Sequence, residues 1–329
     1  MLRILHGTKI DFIRWWRHTA ALTILWMIVG LVMLLARGAN WSNEFTGGTM
    51  IHVEFAQPPG DAEVRALVAE VGLLGAEIQR FGSPSEYTIR AQASADTTIA
   101  EDSTGVIVER ALQERFGDET RVVRAEFVGP RVGAELRRNA VVAILISFVV
   151  VLIYLALRFE WRFGVAAVFA TAHDILGTVA FIAIMNLEIS LTVVAAILTV
   201  IGYSLNDTII IFDRVRENLR KQRRESMRDV VNRSINETLP RSVMTHGTTL
   251  AATLSLLMFA GEVIRPFAWV MTFGIFTGTF SSIYVAGALL LWIERRWPRH
   301  AGESKGTARA LAEDRRRERK HPTGAGSKA

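Results

Sequence analysis

The chain has 329 residues, half of them hydrophobic (50%), a formal charge of +6, a mean hydropathy of +0.26 and a pI near 10.0. Its apolar residues fall in long blocks, which excludes an ordinary soluble domain, and its basic residues crowd the ends of those blocks, which reads as membrane topology and not as nucleic-acid binding. The absence of cysteine excludes disulfide staples, thiolate metal sites and cysteine nucleophiles together.

A helix needs about 20 apolar residues to cross roughly 30 Å of hydrocarbon. Six stretches qualify as transmembrane helices: 18–36, 139–157, 163–185, 189–212, 242–260 and 267–293. The first is long enough to span and lacks a small-residue cleavage site, so it does not read as a signal peptide. Arg3, Lys9, Arg14 and Arg17 precede it within the N-terminal segment 1–17, and Arg158 and Arg162 separate the second and third spans. A basic loop over 214–241 holds Arg216, Arg220, Lys221, Arg223, Arg224, Arg228 and Arg233, and residues 294–329 form a basic tail expected to be disordered. By the positive-inside rule these segments, and both termini, belong in the cytoplasm. The opposite loops carry Glu188, Glu262 and only Arg265.

Residues 37–138 form a polar segment whose periodicity alternates between two and 3.6. Residues 49–55 alternate as a strand, and 61–71 place Val64, Leu67, Val68 and Val71 on one helical face. Short strands at 77–81 and 87–91 flank the turn at 82–85. A second helix, with Val106, Ile107, Ala111 and Leu112 on its inner face, stops at Gly117 before a closing strand at 121–128. The order β-α-β-β-α-β predicts an α+β ferredoxin-like domain, extracytoplasmic by the topology. Gly47 and Gly48 precede its first strand as a tight turn, because the lysine of a phosphate loop is missing.

The fourth span carries Asn206, Asp207 and Thr208 within its apolar run and ends in Asp213 and Arg214. A carboxylate at the bilayer centre costs about 2.5–3.5 kcal/mol even on insertion scales, so Asp207 is a functional-site candidate by default. It lies six residues before Asp213, about 9 Å along a helix, in the cytoplasmic half of the bilayer. Helical phase makes Arg214 a distant counter-ion. Arg241 opens the fifth span with Thr245 and Thr248 at i+4 and i+7, a hydroxyl stripe topped by a guanidinium, and is the expected partner of Asp207. Arginine and burial act in opposite senses on a carboxylate's proton affinity, and a proton carrier needs them near balance.

The third span holds His173 and Asp174 near its midpoint. Neighbouring residues diverge by about 100°, so they are not expected to address one small site. Asp174, a second candidate for proton conduction, is expected to bond to interface hydroxyls such as Thr171 or Thr178, and His173 to face water or another chain. No HExxH or clustered His and carboxylate spacing supports a metal site. In the sixth span, Gly274, Gly278, Ser281 and Ser282 follow the small-xxx-small spacing that lets helix backbones approach.

Several of these segments, in order, resemble the SecF family of bacterial protein-export membrane subunits. The run F-T-G-G-T at 45–49 resembles the family's D-F-x-G-G-T, and E-F-V-G-P at 126–130, with Gly133 and Leu136, its E-F-V-G-P-x-V-G-x-E-L. R-F-E-W-R at 158–162, His173-Asp174-Ile175 and T-L-P-R-S at 238–242 have counterparts as well. The stretch 201–218 is similar to I-G-Y-S-x-N-D-[TS]-I-V-V-x-D-R-I-R-E-N almost throughout, and 278–286 resembles G-T-x-S-S-I-Y-V-A. Two positions depart: Glu44 stands where the family usually has Asp, and His246 where it has Ser, an imidazole that would either alter the site's response to pH or, more ordinarily, face the lipid interface or cytoplasm.

The resemblance implies a non-enzymatic subunit without a cofactor in the bacterial inner membrane, related to resistance-nodulation-division transporters. It implies pairing with SecD to complete twelve spans, association with the SecYEG channel, with YajC and YidC as possible further partners, and use of the proton gradient to draw unfolded preproteins outward. On this resemblance Asp207 matches the ion-conducting carboxylate and Arg241 its associated arginine; the coupling ion is H⁺, with Na⁺ left open. A proton-coupled efflux or lipid transporter is the alternative, disfavoured because one small external domain leaves little room for a substrate cleft. An aspartyl protease using Asp174 and Asp207 is disfavoured because the two fall at different predicted depths.

Overall fold

The computed structural model describes residues 7–71, 73, 76–91, 104–117, 119–221 and 225–298. The tail from 299 onward lies outside the described residues. Among them, six helices are long and apolar enough to cross a membrane. The first, α1 (Trp16–Arg37), follows a 3₁₀ turn at Phe12–Trp15, and a short α2 (Asn43–Thr46) leads into the polar segment. There β1 (Gly48–Glu54), α3 (Asp61–Glu70), β2 (Glu77–Arg80), β3 (Glu86–Ala91), α4 (Thr104–Phe116) and β4 (Arg121–Val128) follow in order. The membrane bundle then continues with α5 (Pro130–Arg158), α6 (Trp161–Met185), α7 (Leu191–Lys221) and α8 (Met227–Phe259). The last span joins α9 (Arg265–Ser281) to α10 (Gly287–Arg296) through a π turn at Ser282–Ala286.

The four strands make an antiparallel sheet in the order β2-β3-β1-β4. Alternation along β1 and β3 turns Ile51, Val53, Tyr87 and Ile89 to the inner face, where they meet Val64, Leu67 and Val68 of α3. The inner face of α4 differs from expectation. Val108 and Leu112, one turn apart, are buried, whereas Val106 and Ile107 are 54% and 38% exposed. The phase follows from Leu112: position 108 lies beneath it at i−4, while 106 and 107 are rotated well away.

The domain is seated on the bundle by backbone contacts. Ser42 N–H donates to Ile189 O at 2.9 Å, and Ile189 N–H to Asn40 O at 2.7 Å. The Glu44 carboxylate accepts from Leu191 N–H at 2.6 Å, so it lies at the positive end of α7. Arg90 of β3 bonds and ion-pairs with Glu188 in the loop between α6 and α7. Burial pushes the Glu188 carboxyl above its ordinary value, against the opposing pull of Arg90. Gly133 is required where α5 passes α2, because a Cβ there would stand 2.9 Å from Gly47 N.

Most of the basic segment expected as a loop over 214–241 is helical, residues 222–224 lying outside the described residues. Helix α7 continues to Lys221 and α8 begins at Met227, with Pro240 inside it. Hydropathy marks where hydrocarbon ends, but these polar residues keep the helix going with their own pairs: Lys221 donates to Glu217 at 2.6 Å, and Asn218 to Ser234 at 3.0 Å across the two helices.

Candidate functional site: an intramembrane carboxylate cluster

Glycines decide how closely α9 meets α7. A Cβ on Gly274 would lie 2.2 Å from Val200 Cγ2, and one on Gly278 would lie 2.9 Å from Ser204 Cβ. Both distances are shorter than atoms tolerate, so only glycine permits this approach, and it brings Ser281 and Ser282 over the polar face of α7.

Two carboxylates occupy that contact. Asp174 of α6 is 1% exposed and accepts from Ser204 Oγ of α7 and from Ser281 Oγ of α9 at 2.6 Å. His173 Nδ1 lies 3.0 Å from its other oxygen. Asp207 of α7 is 2% exposed and accepts from Ser242 Oγ of α8 at 2.9 Å and from Ser282 Oγ at 3.4 Å. His246 Nδ1 stands 3.8 Å away, and its ring meets Tyr203 edge-on with centroids 5.2 Å apart. The Tyr203 hydroxyl donates to Thr245 O at 3.0 Å, which ties α7 to α8 at this level. Among the described residues no Lys or Arg bonds to or ion-pairs with either carboxylate. The groups that face the carboxylates are serine hydroxyls and two imidazoles.

The expected partner of Asp207 is therefore on the right helix and the wrong face. Arg241 is exposed, Thr248 is exposed and Thr245 half-buried, while Ser242 and His246, at i and i+4, turn inward. One residue of helical phase, about 100°, separates the two stripes. His246, expected at the lipid or cytoplasmic surface, is 6% exposed beside Asp207. His173 and Asp174 do meet, because the imidazole folds back over its neighbour. Thr171 and Thr178 donate to the backbone carbonyls of Ala167 (3.0 Å) and Asp174 (2.7 Å) and not to the carboxylate. The two aspartates, expected at different depths, are served by neighbouring serines. Ser281 and Ser282, consecutive in chain, serve one each, and Ser204 precedes Asp207 by only one helical turn.

Of the remaining candidates, Thr208 is buried (2%) and Asn206 is exposed on the outside of α7. Asp213 is bonded by Arg158 at 2.6 Å, and Arg214 by contrast donates to Glu237 and Glu217, each at 2.6 Å. Sequence reasoning does not reveal Ser204, Ser242, Ser281 and Ser282 as hydrogen-bond donors to the carboxylates. A lone serine in an apolar helix carries little signal, although Ser204 and Asp207 at i, i+3, and Ser242 and His246 at i, i+4, are spacings that could have marked them.

Six spans, a small four-stranded domain and a hydroxyl-lined carboxylate pair between spans three to six define a polytopic helical membrane protein with a polar intramembrane centre. The family model described as protein export membrane protein SecD/SecF, C-terminal, matches residues 107–296, and the chain belongs to the SecD/SecF family. The protein translocase subunit SecF of Gemmatimonas aurantiaca is 57% identical over 318 residues, covering 94% of each chain. That of Escherichia coli O157:H7 is 38% identical over 87% of this chain and 88% of its own. The crystal structure of SecDF, a translocon-associated membrane protein from Thermus thermophilus, aligns with a TM-score of 0.79 at 36% identity, over 90% of this chain and 40% of that longer one.

Proposed function

We propose that this chain is a SecF-type subunit of a protein translocase that uses the proton-motive force to promote preprotein export. The observation that carries the reading is Asp207, buried in a membrane helix, bonded by the Ser242 hydroxyl and approached by the His246 imidazole at 3.8 Å, with no Lys or Arg paired to it among the described residues. Moving one charge through 100 mV is worth about 2.3 kcal/mol, so a carboxylate that is protonated from one side and released to the other can bias a mechanical cycle, provided each state prefers a different helix packing. No covalent step and no cofactor are needed. The coupling ion is H⁺; a dependence on Na⁺ at constant pH would replace it.

The strand order and the two helices of the small domain support a ferredoxin-like fold, and the basic cytoplasmic ends of α7 and α8 support its placement outside a bacterial inner membrane, with both termini inside. Relatives that carry a SecD half in one chain support a SecD partner. Asn206, Arg241 and Thr248 lie on the outer surface of the bundle, where such a partner would cover them, and a role for Arg241 in ion conduction would require that partner. SecYEG, with YajC and YidC, and the unfolded preprotein complete the assembly.

The test is Asp207→Asn in inverted membrane vesicles containing the whole complex. Gradient-dependent stimulation of preprotein transport is expected to vanish while insertion and co-purification with the partner persist. Wild-type stimulation in this variant would refute the reading.

A further inference from the structure

We infer that Asp174 is a second proton-binding residue and that it titrates jointly with Asp207, the two being joined through Ser204, Ser281 and Ser282 into one site. This rests on the proton-coupled reading of Asp207 and extends it to a partner on another helix.

The wiring comes from three helices. Ser204 donates to Asp174, and one turn later the same helix places Asp207. Ser281 donates to Asp174 at 2.6 Å and Ser282 to Asp207 at 3.4 Å. Consecutive helical residues point about 100° apart, so a serine pair on α9 can serve two carboxylates on two different helices at once. The π turn begins at Ser282, the second of these serines. Single-turn π segments inside α-helices gather at functional sites.

The ends of the chain are imidazoles. His173 touches Asp174 through Nδ1 and leaves Nε2 buried without a partner; His246 approaches Asp207 with an Nδ1 that is likewise buried and unbonded. The titratable groups at the cluster are His173 from α6, Tyr203 from α7 and His246 from α8. α9 presents only hydroxyls, and α1 brings Trp26, whose indole N–H donates to Gly177 O at 3.2 Å. Ser281, which bonds Asp174, and Ser282, which bonds Asp207, are consecutive, and Ser204, which bonds Asp174, lies three residues before Asp207; among the described residues no Lys or Arg pairs with either carboxylate, so the proton on one is expected to influence the other.

The experiment reads this coupling without requiring export. Membranes holding the full complex are treated with dicyclohexylcarbodiimide, which modifies protonated carboxyls in apolar surroundings, and labelling of Asp174 is followed by peptide mass spectrometry across pH. Asp207→Asn is expected to move the midpoint of Asp174 labelling by about one pH unit or more. Combined Ser281→Ala and Ser282→Ala substitutions are expected to shrink that shift. In vesicles, Asp174→Asn and Asp207→Asn are each expected to abolish the gradient response, the double variant to be no worse than either, and Asp174→Glu to keep a response with a displaced pH profile. A midpoint that Asp207→Asn leaves in place, or a wild-type gradient response in Asp174→Asn, overturns the inference. If Asp207→Asn transports normally while the labelling midpoint still moves, the export reading falls and the coupling stands.

Discussion

The two cores of this molecule differ in where polar groups are placed. In the small domain Ile51, Val53, Tyr87, Ile89 and Leu112 fill the interior, and ion pairs such as Arg80–Asp61 (2.8 Å) and Arg121–Glu54 (2.9 Å) sit at the rim. In the bundle the apolar side chains of α1 and α5 face outward as well, and the interior, although it buries apolar residues such as Phe163, Phe212, Ile201 and Ile275, also takes in two aspartates and their serines. Water drives apolar groups inward in the first case. Lipid is as apolar as leucine, so in the second case close backbone contact and hydrogen bonds hold the helices, and a buried charge is kept for what it does.

Substitutions in one core should leave the other intact, which gives the comparison its sharpest test. Leu112→Ala removes a fully buried side chain and is expected to destabilise the small domain by about 2–5 kcal/mol. Hydrogen exchange on the whole chain should show faster exchange in α4 and the sheet with α6 to α9 unchanged; loss of protection in both would mean the two regions fold as one unit.

The converse change is Gly278→Val. A Cβ there already meets Ser204, so overpacking is expected to cost about 1–3 kcal/mol and to part α9 from α7. The thermal midpoint of the detergent-solubilised protein should fall and the gradient response should fail with it, while the sheet keeps its protection. Unchanged thermal stability would show that α7 and α9 do not need their close approach.

The smallest effect separates the two kinds of aspartate. Hydrogen bonds from Arg80, and then from Tyr87, hold the exposed Asp61 carboxyl below its ordinary value. A carboxyl whose folded value is depressed contributes stability above its unfolded value of about 3.9, and that contribution is lost as pH falls through the folded value. Asp61→Asn should therefore lower the domain's stability slightly at neutral pH, and the difference from wild type should fade on acidification below that range. Export should be unaffected, in contrast to Asp207→Asn. A difference that grows on acidification would reverse the assignment.

What could be read from the chain alone were the properties set by local periodicity and by the cost of polarity in lipid. Six apolar blocks identified six spans, alternation and helical phase ordered the β-α-β-β-α-β segment, and the price of a carboxylate in hydrocarbon singled out Asp207 and Asp174. Where polar helices continue past the membrane, hydropathy fell silent, and α7 and α8 proved longer than their apolar runs. Only the tertiary structure decided which side of α8 faces inward, so that Ser242 and His246 replace Arg241 and Thr245 at Asp207. Only it showed that His173 folds onto Asp174 and that Ser281 and Ser282 divide between two carboxylates. Those choices depend on how four helices rotate about their axes, which their contacts with one another fix and no single segment encodes; the close approach of Gly274 and Gly278 to α7 is one such contact.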